Sequence, residues 1–458
     1  MPKELNTANK QLQPRISTTK SKTQQGSKNH TESTPQFTVA IDKSHENKLQ
    51  TAQNAVGSVM LSQLMKQNSN GASLSNLVFS PFSFFHVMLM ILMGSKDETL
   101  SELVHALQLK ESMMVSCSEG CSSEQELNPL QYWKMEHLEC YMNTCMKYFK
   151  MTSSEETSAN VESSSTPISV SLSVANRLFL EQSLNVKLEY LSELKQYFNS
   201  EPELCNFKEQ PMEQVQKINS WIESKTNGRI PNMLSSSDVS ESTSLILVNA
   251  IHFLGTWMHK FNINRTNPRA SFRTLMDPTG ETTKCERMSM FSSGGIILSI
   301  PLTVESEQEF DEWFLSKLAN VKQITPTTRL KFRKVEIPKF NMEVKENLTD
   351  VLKSSPLNMQ HAFSPLQANF TGISENVNGQ RIFISKIIQK VYIKADEDGT
   401  EAAACTMVGL GKGGARRSQT TEKLYEFVVD RPFAFVLHHL PTKSVLFCGK
   451  INSFSSGQ

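Results

Sequence analysis

An apolar run occupies the middle of the chain, Leu245-Ile246-Leu247-Val248-Asn249-Ala250-Ile251. The run lacks the alternation of apolar and polar residues that marks a strand with one solvated face, and a single Asn interrupts it. This pattern predicts a β-strand that is buried on both faces. Both sides of the sheet that contains it are therefore expected to be covered by other elements.

Strand patterns occur on both sides of this run. Upstream, apolar residues alternate with polar ones and predict a strand with one buried face: Ile168, Val170, Leu172 and Val174. The end of the chain predicts a hairpin in which residues 433–439 and 445–451 are strands joined by a turn at 441–443. Strands are thus expected along much of the chain.

Helical spacing marks three core helices, because apolar residues recur every three or four positions. The sets are Val56, Val59, Met60 and Leu64; Leu100, Leu103, Val104 and Leu107; and Val215, Ile218, Trp221 and Ile222. The third helix is expected to stop at Asn227-Gly228, a pair suited to a left-handed cap. Helices and strands together predict a mixed α and β fold.

The domain organisation follows from composition. Residues 1–45 are rich in Lys, Gln, Ser, Thr and Asn without periodicity, which predicts a disordered polar tail before a domain at 46–458. Within that domain, about 111–166 is predicted to be an insertion on the surface. Its four cysteines lack the tight spacing of a zinc knuckle, so no metal is expected: Cys117, Cys121, Cys140 and Cys145.

The charge balance restricts the partners. The chain has 47 basic and 46 acidic residues, so no global field draws it to nucleic acid or to an anionic membrane. No secretory signal or membrane-spanning run is recognisable, which favours a cytoplasmic protein with free thiols; release without a leader is the alternative. A monomer is expected.

Enzyme and cofactor motifs are missing from the sequence. No G-x-S-x-G, H-E-x-x-H or P-loop pattern occurs, so no catalytic residue is assigned. Gly409, Gly411 and Gly414 have the spacing G-x-G-x-x-G, but no helix start or ribose-binding acid accompanies them. We therefore expect neither enzymatic activity nor a cofactor.

Five segments, in order along the chain, resemble motifs of the serpin family. The first is Asn76-Leu77-Val78-Phe79-Ser80-Pro81-Phe82-Ser83, and the others are residues 94–100, 218–231, 247–257 and 430–450. The likeness spans residues 48–455. The absence of a leader, the insertion and the run at 408–411 are similar to the intracellular, ovalbumin-like branch.

The resemblance implies an α+β serpin fold. Its helices pack on a large mixed main sheet, two smaller sheets accompany it, and a reactive-centre loop is exposed. It also implies a region where the main sheet opens, formed by Asn76, Ser80, Pro81, Ser83, Asn249 and Gln389. Many serpins have a His at the position of Gln389, and Gln can likewise donate and accept hydrogen bonds.

A stretch rich in small residues resembles the hinge of inhibitory serpins. It comprises Glu397, Gly399, Thr400, Glu401, Ala402, Ala403, Ala404, Cys405 and Thr406. Glycine permits a pivot, and small side chains suit a segment that slides between existing strands. If the even-numbered residues from 400 to 406 point into the core, Glu401 points outward and its charge stays in water.

The resemblance implies a suicide inhibitor, in which a protease cleaves the loop and is trapped as the loop inserts. The family's hinge length places the attacked bond near Lys412-Gly413, whereas the nearest dibasic pair is Arg416-Arg417. A basic residue there favours a trypsin-like serine protease, ahead of a papain-like cysteine protease. The alternative is that these basic residues only keep the loop soluble.

One departure from the family supports a second function class. About twenty residues expected of a strand in the second sheet are missing near 292–296. Losing a strand leaves backbone groups unpaired and apolar surface exposed. The alternative hypothesis is therefore a non-inhibitory serpin fold that acts as a binding or structural protein, or an impaired variant.

Overall fold

A computed structural model describes the domain. It covers residues 43–69, 75–109, 138, 141–145, 170–255, 257, 260–273, 282–293, 307–319, 332–375, 381–397 and 425–454. The helices are α1 Lys43–Ser69, α2 Pro81–Gly94, α3 Asp97–Ala106, α4 Leu188–Phe198, α5 Pro211–Lys225, α6 Glu307–Ala319 and α7 Thr349–Lys353. The strands are β1 Leu77–Phe79, β2 Val170–Glu181, β3 Glu203–Cys205, β4 Leu245–Gly255, β5 Asn267–Arg273, β6 Thr282–Ser293, β7 Phe332–Pro338, β8 Phe340–Asn347, β9 Ile384–Ala395, β10 Tyr425–Val428, β11 Phe433–His439 and β12 Ser444–Ile451.

The main sheet has five described strands in the order β3-β2-β4-β9-β8. Its central strand β4 pairs antiparallel with β2 and parallel with β9. Residues 245–251 are completely buried, as the apolar run predicts. Leu247 and Ile251 face the larger core cluster, whereas Ile246 and Val248 face a second cluster on the other side of the sheet.

Helices cover both faces of this sheet. On one side lies α2, in which every residue is buried, and it contacts β2, β4 and β12. On the other side lies α5, whose Ile218 and Ile222 are fully buried and whose Trp221 packs edge-on against Phe179 of β2. The burial of β4 on both faces follows from these two layers.

Two smaller sheets complete the α+β architecture, and the predicted fold class is confirmed. One has the order β1-β12-β11 and contains the predicted C-terminal hairpin; the other has the order β10-β7-β6-β5. The predicted polar tail overlaps the start of α1 at Lys43, and residues 1–42 lie outside the described part. Among the described residues, no helix is long and apolar enough to span a membrane.

Part of the predicted surface insertion lies in the core. Leu138, Tyr141, Met142 and Cys145 are at most 3% exposed, and the Tyr141 hydroxyl donates to Gln53 Oε1 at 2.7 Å. The spacing of these four residues places them on one helical face, which packs inward. The prediction of a surface location is therefore wrong for this segment. The rest of 111–166 lies outside the described residues.

The predicted strand deletion falls only partly within the described chain. Strand β6 continues to Ser293, which pairs with Phe332 of β7, so residues 292 and 293 belong to an ordinary strand. Residues 294–306 lie outside the described part. The deletion near 292–296 stays a prediction.

Candidate functional site

The boundary between β4 and β9, here called the seam, lies in the middle of the main sheet. The two strands pair in parallel from Leu245 opposite Ile384 to Phe253 opposite Ile393. Parallel ladders are slightly less stable per residue than antiparallel ones. A strand inserted at the seam and running opposite to β4 and β9 would replace this parallel pairing with two antiparallel pairings.

A row of amide side chains crosses the seam; Asn249 and Gln389 are buried and Asn176 is half-buried. Asn176 of β2, Asn249 of β4 and Gln389 of β9 lie directly opposite one another. Asn249 Nδ2 donates to Asn176 Oδ1 at 2.7 Å, and Gln389 Nε2 donates to Asn249 Oδ1 at 2.6 Å. This amide row therefore ties β4 to β9 by side chains as well as by backbone.

Residues at the start of α2 form hydrogen bonds with the amide row. Ser80 N donates to Gln389 Oε1 at 2.9 Å, and Gln389 Nε2 donates to Ser80 O at 3.1 Å. Asn249 Nδ2 also donates to Ser83 Oγ at 2.6 Å. Ser80 caps the helix by accepting from Ser83 N, and Pro81 occupies its first turn, where no backbone donor is needed. Gln389 thus forms hydrogen bonds through both its carbonyl oxygen and its amino group.

Two residues differ from the sequence-based site. Asn76 does not join the amide row; its Nδ2 donates to Ser453 O at 2.9 Å and its Oδ1 accepts from Asn452 N at 2.7 Å, which holds β1 to the chain end. Asn176 was not predicted, although the alternation of Leu172 and Val174 places residue 176 on the same buried face. This alternation along β2 was the sequence signal from which Asn176 could have been predicted.

A carboxyl group lies at the β8 end of the amide row. Glu346 of β8 is opposite Gln389 in register. Burial raises the pKa of Glu346 to about 7, so its carboxyl group is partly protonated near neutral pH. The row therefore ends in a titratable group.

The base of the predicted hinge is anchored at Glu397, just beyond β9. Thr266 Oγ1 donates to Glu397 Oε1 at 2.5 Å, and Lys339 Nζ lies 3.3 Å from Oε2. Phe261 N donates to Glu397 O at 2.9 Å. Burial alone raises the pKa of Glu397, but the hydrogen bonds from Thr266 and Lys339 outweigh burial, and the pKa lies below its ordinary value.

The predicted bait itself lies outside the described residues. This holds for Gly399, Thr400, Glu401, Ala402, Ala403, Ala404, Cys405 and Thr406, and for Lys412, Gly413, Arg416 and Arg417. Its two flanks are described. Beyond the loop, Asp430 O accepts from Arg273 N at 2.8 Å, so β5 contacts the downstream flank at Arg273.

Replacing Glu397 by glutamine is expected to lower the free energy of unfolding at pH 7 by about 1 to 2 kcal/mol, because the hydrogen bond from Thr266 loses its charged acceptor and the ion pair with Lys339 is lost. The charged carboxylate stabilises the fold above the unfolded pKa of about 4.3, and this contribution is lost as the pH falls through the lower folded pKa. Urea unfolding at pH 7, 5 and 3.5 therefore should show a difference that disappears in acid. Glu213→Gln, at an exposed position of α5, is the control; a difference independent of pH would contradict the argument.

The comparison with family models decides the affiliation of the chain. The model described as "Serpin (serine protease inhibitor)" matches residues 51–454. The chain belongs to the serpin family. Serpin B10 of Otolemur garnettii is 28% identical over 410 residues, which covers 85% of this chain and 96% of that protein. Plasminogen activator inhibitor 2 of Homo sapiens is 27% identical over 418 residues, with the same shares.

Leukocyte elastase inhibitor A of Mus musculus is 28% identical over 417 residues, covering 85% of this serpin and 96% of that protein. These relatives confirm the predicted likeness to the ovalbumin-like branch. Among solved structures, uncleaved ovalbumin matches with a TM-score of 0.63 and 22% identity, covering 89% of this serpin and all of ovalbumin. Arabidopsis AtSerpin1 matches with a TM-score of 0.67 and 22% identity, covering 89% and 98%.

Within the described part of this serpin, no group of three or more His, Cys, Asp or Glu side chains is placed to hold a metal ion. Of the four cysteines considered for zinc, Cys145 is buried and forms no disulfide with another described residue. Cys117, Cys121 and Cys140 lie outside the described residues.

Proposed function

We propose that this serpin inhibits a serine endopeptidase as a suicide substrate and that its cleaved loop inserts into the seam. A trypsin-like protease is the favoured target, and a papain-like cysteine protease is the second class. The protease supplies the nucleophile, so the serpin acts without catalytic residue or cofactor, as a monomer. The names of two relatives, plasminogen activator inhibitor 2 and leukocyte elastase inhibitor A, support an inhibitory role.

The observation that carries the proposal is the direct continuation of the seam strand β9 into Glu397 and the hinge sequence. β4 and β9 run parallel, so a loop that turns back after β9 runs antiparallel to both of them. It would exchange one parallel ladder for two antiparallel ones. A strand of about a dozen residues, at about 1 kcal/mol per new hydrogen bond, would release on the order of 10 kcal/mol.

The amide row gives the seam a lock. The hydrogen bond from Gln389 to Asn249 crosses the seam at 2.6 Å and must break before another strand can lie between β4 and β9. In the intact molecule this bond opposes insertion. Cleavage breaks the covalent connection between the hinge and β10, which begins at residue 425. The free energy gained by insertion then outweighs the free energy lost with the Gln389–Asn249 hydrogen bond.

A second function keeps specific support. The described part of the β1-β12-β11 sheet has three strands, and the sequence-based prediction that about twenty residues of a strand are missing near 292–296 would leave a sheet incomplete. A serpin with an incomplete sheet would act as a binding or structural protein. A protease would cut its loop without being trapped.

Incubation with trypsin separates the two functions. An inhibitor is expected to give a covalent band on a denaturing gel, and the cleaved form should unfold at a higher temperature than the intact form. Mass spectrometry of the released fragment would identify the attacked bond among those after Lys412, Arg416 and Arg417. Simple cleavage without a covalent band or a gain in heat resistance would favour the second function.

We also propose a cytoplasmic location, with release without a leader as the alternative. The described cysteines support a reducing compartment, because none of them forms a disulfide with another described residue and all are buried: Cys145, Cys205, Cys285 and Cys448. Burial raises the pKa of the Cys205 thiol to about 12, which makes it unreactive.

A further inference from the structure

The segment that joins α5 to β4, residues 226–244, lies on the α5 face of the main sheet and is called here the strap. It starts from α5, which packs on β2, and it contacts β9 on the far side of the seam. The Arg229 guanidinium lies 6.0 Å from the ring of Tyr392, and Lys390 Nζ donates to Pro231 O at 2.7 Å. The strap then returns to enter β4. It therefore crosses the seam.

Two hydrogen bonds fix the middle of the strap to α5. Asn219 Nδ2 donates to Leu234 O at 2.9 Å, and Leu234 N donates to Asn219 Oδ1 at 2.7 Å. The Leu234 side chain is buried in the core cluster between α5 and the sheet. This point of the strap is thus held with α5, on the β2 side of the seam.

Four residues further on, one carboxylate holds the strap to the other side of the seam. Lys386 Nζ of β9 donates to Asp238 Oδ1 at 2.9 Å, and Lys345 Nζ of β8 donates to Asp238 Oδ2 at 2.8 Å. The exposed fractions of these side chains are 11% for Asp238, 26% for Lys386 and 34% for Lys345. Solvent therefore weakens the two ion pairs less than it weakens a fully exposed pair.

The same carboxylate holds the turn between these two anchor points. Asp238 Oδ2 accepts from Ser235 N at 2.8 Å and from Ser235 Oγ at 2.7 Å, which caps the short 3₁₀ helix Ser236–Asp238. Burial alone raises the pKa of Asp238, but the hydrogen bonds from Lys345, Ser235 and Lys386 outweigh burial and hold the pKa well below its ordinary value. Asp238 is therefore charged at neutral pH.

Opening the seam disturbs this arrangement. Neighbouring strands lie about 4.8 Å apart, so a strand placed between β4 and β9 moves Lys386 away from β4 by about that distance. Leu234 is held by α5, so the strap follows β9 only if the turn at 236–238 unwinds. If the turn stays intact, Asp238 separates from both lysines. Either route breaks contacts that the Asp238 carboxylate makes.

We propose that Asp238 is an ionic latch that keeps the main sheet closed and limits the rate of loop insertion. The latch acts on the α5 face of the sheet, opposite the amide row. Its effect on insertion rests on the proposed function, whereas its effect on the closed sheet does not. Because the latch consists of charges, salt and the substitution Asp238→Asn should act in the same direction.

Hydrogen–deuterium exchange of the intact serpin, without protease, tests the latch. At low salt, Asp238→Asn should speed exchange of the β4 and β9 amides at the seam about tenfold, while the β11–β12 hairpin exchanges as in wild type. Raising the salt to about 0.5 M should speed seam exchange in wild type and have a smaller effect on the variant. Asp350→Asn, the same change at an exposed position of α7, is the matched control and should exchange like wild type.

Two results would overturn the latch: seam exchange in Asp238→Asn that equals that of wild type, or faster exchange confined to the strap, which a local cap explains. If Asp238→Asn does not fold, Lys345→Met, which removes one of the two pairs, and the salt series on wild type decide in the same way.

Incubation with trypsin then separates the latch from inhibition itself. Faster insertion competes better with hydrolysis, so Asp238→Asn should require fewer serpin molecules for each trypsin molecule silenced. Covalent complexes without any change in seam exchange would refute the latch alone. Faster seam exchange without covalent complexes from any variant would refute inhibition and leave the latch in place.

Discussion

Replacing Thr400 by arginine is expected to abolish the covalent complex with trypsin and to turn the serpin into a substrate. Thr400 follows the pivot Gly399 and is the first of the residues whose parity directs them into the sheet. An unpaired charge buried there costs several kcal/mol, and about 3 kcal/mol already slows a step by about two orders of magnitude. The protease then completes hydrolysis before insertion.

The matched control for this variant is Glu401→Arg. Its side chain has the opposite parity and is expected to stay in water, although it adds the same guanidinium one residue away. Complex formation by Glu401→Arg should therefore resemble that of wild type, as measured by gel and by the molar ratio of serpin needed to silence trypsin. A Thr400→Arg protein that traps trypsin as efficiently as wild type would refute insertion of this hinge.

Replacing Asn249 by alanine is expected to lower the free energy of unfolding more than replacing Glu397 by glutamine. Asn249 is completely buried, donates to Asn176 and Ser83, and accepts from Gln389. Losing three hydrogen bonds inside the core costs about 3 kcal/mol, at about 1 kcal/mol each. Urea unfolding followed by circular dichroism should show this decrease in the free energy of unfolding.

The control is Asn264→Ala, which makes the same chemical change on an exposed side chain and should alter stability by less than about 0.5 kcal/mol. Because Asn249 holds Gln389 across the seam, its removal also should let the uncleaved loop insert on warming, with loss of complex formation over time. Equal stabilities for the two variants would show that the amide row contributes nothing to holding the sheet.

The strands and helices of this serpin were largely predictable because their signals are local. The apolar run at 245–251 alone indicates a strand with two buried faces, and the heptad-like spacing at Val215, Ile218 and Ile222 indicates the helix that covers one of them. The terminal hairpin follows from its turn residues. Period and turn chemistry act over a few residues, so the sequence contains them in full.

The location of the helical segment near Tyr141 was predicted wrongly, because it depends on a contact with a residue that is distant in the sequence. Serine- and glutamate-rich flanks made it look like part of a surface insertion, yet burial depends on what lies opposite a helix. Its partner Gln53 is 88 positions away. Composition of the neighbouring segments carries no information about such a contact.

The sequence by itself indicated the family and the strands and helices whose apolar residues recur regularly, and it predicts the small-residue hinge with its alternating faces, because these depend on local pattern and ordered motifs. Only the tertiary structure decided that Asn176 joins Asn249 and Gln389 and that Thr266 and Lys339 anchor Glu397. The physical reason is that these contacts join distant positions, 309 apart for Ser80 and Gln389, and exist only once the sheets and helices are packed.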